Sequence, residues 1–173
     1  MPNDMPVYNT LTSVETRIVQ AMRAFMDDGV YDAPLDAPET VAETIGVPLS
    51  RFLGLLWCSD PHVVDLYHKW DPDVSPFELQ VLYAISEARA GDAATVDELL
   101  EWWYPADLIP LAGEALGSIA RLLDDMGAPG QSSARLREHI LCQSSNRRKA
   151  ATSFVLSDDC PRPNRPSGPE TIH

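Results

Sequence analysis

Four side chains able to bind a metal lie within eleven residues of one another: Cys58, His62, Asp65 and His68. Thiolate, imidazole and carboxylate are the donors that hold zinc or iron, and steps of three and four residues return to one side of a helix. Pro61 stands between Cys58 and His62 and places them on separate segments. The spacing matches no zinc pattern, so the reading is a Cys58 buried as a small apolar residue, with the histidines at the surface. The other thiols, Cys142 and Cys160, lack a Cys-x-x-Cys step. Three cysteines with no close pair are expected to stay reduced, which suits a cytoplasmic chain. No metal or cofactor is expected. Neither a Gly-rich phosphate loop nor a Gly-x-Ser-x-Gly elbow is present. The carboxylate pairs Asp27-Asp28 and Asp124-Asp125 read as solvated helix ends. No residue is assigned a catalytic role, and no enzymatic activity is expected.

The remaining chemistry is that of association. Trp102 and Trp103 are adjacent, and neighbours on a helix point about 100° apart. One indole is expected to pack inward against Leu99 and the other to lie near the surface. Large aromatics at such positions are typical interface anchors. Tyr67 and Trp70 raise the same expectation. Arg147, Arg148 and Lys149 form a basic run that suits an acidic surface, on a partner or on this chain itself. These seven residues are the candidate partner-binding set.

Charge narrows the partner. The formal net charge is −13 over 173 residues. Residues 1–134 hold 6 Lys/Arg against 22 Asp/Glu, whereas residues 135–173 hold 7 against 4. Such a body repels nucleic-acid phosphates and favours basic protein surfaces. No stretch reaches the apolar length needed to span a membrane, and the first residues carry no secretory signal pattern.

These residues must be positioned by helices. Residues 12–22 and 75–85 share one plan: Ser/Thr-x-x-Glu, paired aliphatics, then Ala and another apolar residue. The boxes Thr40-x-x-Glu43 and Thr95-x-x-Glu98 echo it. Each is a helix-start signal in which the hydroxyl and the carboxylate satisfy free backbone N–H groups. The spacing predicts a first helix from Thr12 to about Asp27, with Leu11, Val14, Ile18, Met22 and Phe25 on its apolar face. A short second helix is expected from Thr40 to near Gly46. A turn at Val47-Pro48-Leu49-Ser50 then leads into a third helix, facing inward with Phe52, Leu53, Leu55, Leu56 and Trp57. A helix-like stretch from Pro61 to Trp70 follows, and Asp71-Pro72-Asp73 forms a hinge.

Beyond the hinge, Ser75 is expected to cap a helix to about Arg89, with Phe77, Val81, Leu82, Ile85 and Ala88 inward. Thr95 opens the next helix, through Trp103. A long stripe runs from Leu108 through Leu111, Ala112, Ala115, Leu116, Ile119, Leu122 and Leu123 to Met126. A short helix over Ser133–Gln143 and a loose Pro-rich tail complete the plan.

The expected fold is all-α. Two similar tri-helical halves, 11–70 and 74–128, pack together, followed by a helical appendage over 131–157 and a disordered tail over 158–173. The stretch from Ser75 to Gly127 resembles a helix-turn-helix module in topology. Its third helix, however, offers only Arg121 against Glu114, Asp124 and Asp125, whereas a DNA reader needs basic and amide side chains there. The first reading is therefore an acidic, cytoplasmic accessory or adaptor protein that binds a larger protein with a basic surface. A helix-turn-helix regulator or a nucleic-acid mimic comes second. An assembly factor for metalloenzymes comes third; such factors share duplicated helical halves but carry a cysteine-rich tail that this chain lacks.

Overall fold

The computed structural model describes residues 10–28, 41–59, 65–129 and 133–141. Five helices, α1 (Ser13–Asp28), α2 (Val41–Cys58), α3 (Pro76–Ala90), α4 (Ala93–Trp103) and α5 (Ile109–Asp125), are followed by α6 over residues 133–141. No strand occurs among the described residues. The protein is all-α, as the apolar periodicity requires.

Two helix starts form as their sequences dictate. The Thr12 backbone N–H and hydroxyl both donate to the Glu15 carboxylate at 2.8 Å, and the Glu15 N–H donates to the Thr12 hydroxyl at 3.2 Å. At α3 the Ser75 N–H donates to Glu78 at 2.8 Å and the Glu78 N–H returns to Ser75 Oγ at 3.0 Å. Pro76 occupies the first helical position, where a missing N–H loses no helical bond. Gly91, with φ of 79°, ends α3 in the left-handed conformation that a side chain disfavours.

The third expected box works differently. Asp92 caps α4, and its carboxylate accepts from the Thr95 N–H at 3.1 Å and the Thr95 hydroxyl at 2.9 Å. Thr95 is thus a cap's partner rather than the cap. The Asp92 carboxyl is held below its ordinary range, first by the Thr95 backbone bond and then by the hydroxyl. Thr40 lies outside the described residues.

The first half departs from the expected plan at Pro48. α2 runs unbroken through it, as one helix where two were expected. Ile45, Leu49, Phe52, Leu53 and Leu56 are all buried, and this stripe keeps helical register across the proline. An interior proline costs about 3 kcal/mol, whereas each fully buried large aliphatic or aromatic side chain contributes about 1.5–3 kcal/mol. Burial of the stripe outweighs the break. Trp57, expected to face inward, is 54% exposed instead, and Leu55 only flanks the core. Leu111 in α5 is likewise exposed. Residues 65–68 carry no regular structure and 69–70 form a turn, so the expected helix to Trp70 is not formed there.

One core serves the described chain. It draws Val14, Ile18 and Met22 from α1, the α2 stripe, Phe77, Leu79, Val81, Leu82 and Ile85 from α3, Val96 and Leu100 from α4, and Leu136 from α6. α5 supplies Ala112, Ala115, Leu116, Ile119 and Leu123 and packs against α2, α3 and α4. α3 also touches α1, so it is covered on several sides and buries even Glu78 and Glu87. The expected tail over 158–173 and the part of the expected appendage beyond residue 141 lie outside the described residues.

Candidate protein-binding surfaces

The adjacent tryptophans are separated by the helix geometry. Trp103 is 6% exposed and Trp102 is 80% exposed. Val96, Leu100 and Trp103 recur at steps of four and three and form the inner face of α4. Trp103 meets Phe52 edge-on at 6.2 Å and Phe77 at 5.5 Å between ring centroids. Tyr104 caps the end of α4, packs edge-on against Phe52 at 5.5 Å and donates its hydroxyl to the Phe52 carbonyl at 2.7 Å. Burial pushes the Tyr104 phenol far above its ordinary value. This aromatic cluster fixes the rotation of α4, and the next-door indole is thereby forced into solvent. Trp103, one of the expected anchors, is a core residue; Trp102 carries the outer face alone.

That outer face is acidic. Asp97, Glu98 and Glu101 are exposed, Glu98 lies one turn before Trp102, and α4 contains no Lys or Arg. Elsewhere, α5 exposes Glu114, Asp124 and Asp125, with Asp124 paired to Arg89 at 2.7 Å. Arg51 reaches Glu114 at 3.3 Å, but both side chains are about half exposed and the pair contributes little.

Trp70 is a second exposed indole, at 88%. The Lys69 ammonium lies 5.7 Å from its ring centroid, within cation–π range. Tyr67 is half-buried beside Leu66, which packs on the core. The expected hinge after Trp70 is fastened. Arg23 of α1, 1% exposed, donates to the backbone carbonyls of Asp71 (2.8 Å) and Asp73. The same guanidinium grips Glu78, itself fully buried, through Nε at 2.7 Å and Nη2 at 2.9 Å. Asp73 N–H closes the loop on the Asp71 carboxylate at 2.9 Å. This junction is not among the features expected from the sequence. Its only sequence signal is an arginine on the apolar side of α1, one residue after Met22.

A third surface was not among the expected ones either. Phe25 and Met26 of α1 and Gly54 and Trp57 of α2 line an open apolar groove of about 350 Å³. It lies where the last turns of both helices come together.

The ligand-type cluster does not assemble. Cys58 is exposed, not buried as expected, because its position on α2 lies beside outward-facing Trp57. His68 is exposed, and His62 lies outside the described residues. Among the described residues no group of three His, Cys, Asp or Glu side chains is placed to hold a metal ion. Arg147, Arg148, Lys149, Cys142 and Cys160 also lie outside the described residues. No described helix is long and apolar enough to cross a membrane. No protein-family model, curated protein or solved structure matches the chain.

Proposed function

We propose that the chain is a non-catalytic accessory or adaptor protein of the cytoplasm, and that it captures a larger protein with a basic surface through its helical faces. The observation that carries this reading is Trp102. A side chain of that size, held out by a locked neighbour on a helix that also exposes Asp97, Glu98 and Glu101, offers apolar contact area at little conformational cost inside a negative field. Trp70, displayed on a loop whose base Arg23 clamps, is the second anchor. In this reading the chain is built as two related helical units, each opened by a Ser/Thr-x-x-Glu box, and the shared core makes one rigid platform of them.

Affinity capture followed by mass spectrometry tests the proposal. The wild type should retain one dominant basic partner, more weakly as salt rises. Trp102→Ala should lose about tenfold or more of that affinity, corresponding to about 2 kcal/mol for an anchor, while its stability stays within about 0.5 kcal/mol of wild type. Undiminished capture by Trp102→Ala would remove the anchor assignment.

The mutual packing of α3, α4 and α5 favours one second reading, a helix-turn-helix regulator. It requires a shift of a DNA probe at low salt that collapses steeply as salt is added. Arg121, the basic residue of α5, is turned onto its own helix through the Gly117 carbonyl and Ser118 hydroxyl, both at 3.3 Å, which weakens this alternative.

A further inference from the structure

We infer that the outer face of α4 binds an arginine of the partner protein, its guanidinium stacked on Trp102 and hydrogen-bonded to Glu98. The inference rests on the adaptor reading and names the side chain that its main anchor recognises.

The face is built opposite the core. Val96, Leu100 and Trp103 turn inward, which leaves Asp97, Glu98, Glu101 and Trp102 outside, all exposed. Glu98 and Trp102 are four residues apart and so are neighbours on the helix surface, with Cβ atoms about 5–6 Å apart. An indole face and a carboxylate therefore stand side by side. Ala94 before them and Pro105 and Ala106 after them are exposed and small, so nothing bulky on α4 shields the pair.

The fold makes no use of these groups. Among the described residues no hydrogen bond or ion pair engages the carboxylates of Asp97, Glu98 or Glu101. Their neighbours are engaged: Asp92 by Thr95, Glu114 by Arg51 and Asp124 by Arg89. The two most exposed indoles differ in the same way. Lys69 lies over Trp70, whereas no described cation lies over Trp102. Asp97 and Glu101 are like charges four apart, which destabilises a helix. Glu101 also stands in the last turn, beside the negative end of the helix dipole, and no basic residue there offsets it. A cation from outside relieves both repulsions.

The pairing of ring and carboxylate selects arginine over lysine. A guanidinium is planar, stacks flat on an aromatic face and still presents its edge N–H groups to a carboxylate. An ammonium is a compact, strongly hydrated charge and gains less from the ring. Asp97 and Glu101 supply the surrounding field rather than the direct bond.

Anisotropy of a dye-labelled peptide titrated with the full chain tests this. One peptide is a short alanine-based sequence with spaced arginines. A second carries lysine at the same positions, and a third carries citrulline, which keeps the shape and loses the charge. The arginine peptide should bind saturably, more weakly as salt rises. The lysine peptide should bind about threefold or more weakly, and the citrulline peptide more weakly still. Glu98→Gln should lose about threefold of the arginine affinity and Asp97→Asn less. Trp102→Ala should bring the arginine and lysine peptides to equal affinity, because the stack is what separates them. Circular dichroism checks that each variant remains helical.

No saturable binding, equal affinity of the wild type for arginine and lysine, or full arginine affinity on Glu98→Gln would overturn the inference. So would a doubling of mass in sedimentation that Trp102→Ala abolishes, because a second copy would then be the occupant. The two proposals fail separately. Arginine selectivity alongside undiminished capture by Trp102→Ala removes the adaptor's anchor and leaves the arginine site. Capture that depends on Trp102 without arginine selectivity removes only the arginine assignment.

Discussion

Thr12 and Ser75 open α1 and α3 with the same device, 63 residues apart, yet the two helix starts are tied to different things. Both show the reciprocal hydroxyl–carboxylate bonds of a capping box. At Thr12 the threonine hydroxyl also donates to its own box carboxylate. At Ser75 the box carboxylate is taken by Arg23, 55 residues away, and the whole arrangement is buried. The start of α3 is therefore a junction where α1, the loop after Trp70 and α3 meet on one guanidinium. Arg23 lies eleven residues after Thr12; the residue eleven after Ser75 is Ser86, whose hydroxyl meets Ser133 of α6 at 3.0 Å. The same local signal thus fixes where a helix begins in both places, while a residue distant in the chain, Arg23, decides what else is attached at the second.

The largest expected effect comes from the guanidinium. Arg23→Met leaves Glu78 charged and buried without its partner, which costs about 3–5 kcal/mol. Urea unfolding measures it, and the double variant Arg23→Met/Glu78→Leu should recover much of the loss because no lone charge is left behind. A loss below about 1 kcal/mol for Arg23→Met would reduce the junction to an ordinary surface contact and break the contrast.

The caps give the next effect. Ser75→Ala should cost about 2 kcal/mol and Thr12→Ala about 1 kcal/mol, because the first removes a bond inside the buried junction and the second one at a partly exposed end. Equal losses would mean that the junction does not depend on its cap.

The smallest effect belongs to the link between α4 and α2. Tyr104→Phe loses one hydrogen bond to the Phe52 carbonyl, about 1 kcal/mol at neutral pH. Its pH dependence has a definite sign. Burial raises the phenol in the folded chain, whereas unfolded tyrosine ionises near about pH 10. The unfolded state then binds fewer protons than the native one above that pH, so this stability is fully present below about pH 10 and is lost as pH rises through the folded value. Tyr83 acts in the same direction, through burial first and then its bond to Glu87. Phenolate absorbance followed alongside circular dichroism should show Tyr104 ionising only as the helices melt. The stability of Tyr104→Phe should fall less steeply with alkali.

The sequence was most legible where one helix turn suffices. The boxes at Thr12 and Ser75, Pro76 in the first turn of α3, and the stripe from Ala112 to Leu123 are patterns within a few residues, and each forms as read. Legibility failed where a distant contact outweighed a local preference. Pro48 reads as a break, yet the core drawn from α1 and α5 keeps α2 whole. Trp57 and Cys58 read as inward, yet the rotation set by Ile45, Leu49, Phe52 and Leu56 turns them out. The groove at Gly54 has no sequence signature, because its two walls come from helices about thirty residues apart.

By itself the sequence determined that the chain is helical, where α1 and α3 begin, and that the body up to residue 134 is strongly acidic. Hydrogen bonds across three or four residues and the 3.6-residue period decide such features before any tertiary contact exists. Only the folded structure decided which of two neighbouring indoles is buried, that Arg23 fastens the loop before Ser75, and that two helix ends enclose an apolar groove. Those outcomes depend on atoms far apart in the chain competing for the same interior space, and close packing admits only one arrangement of them.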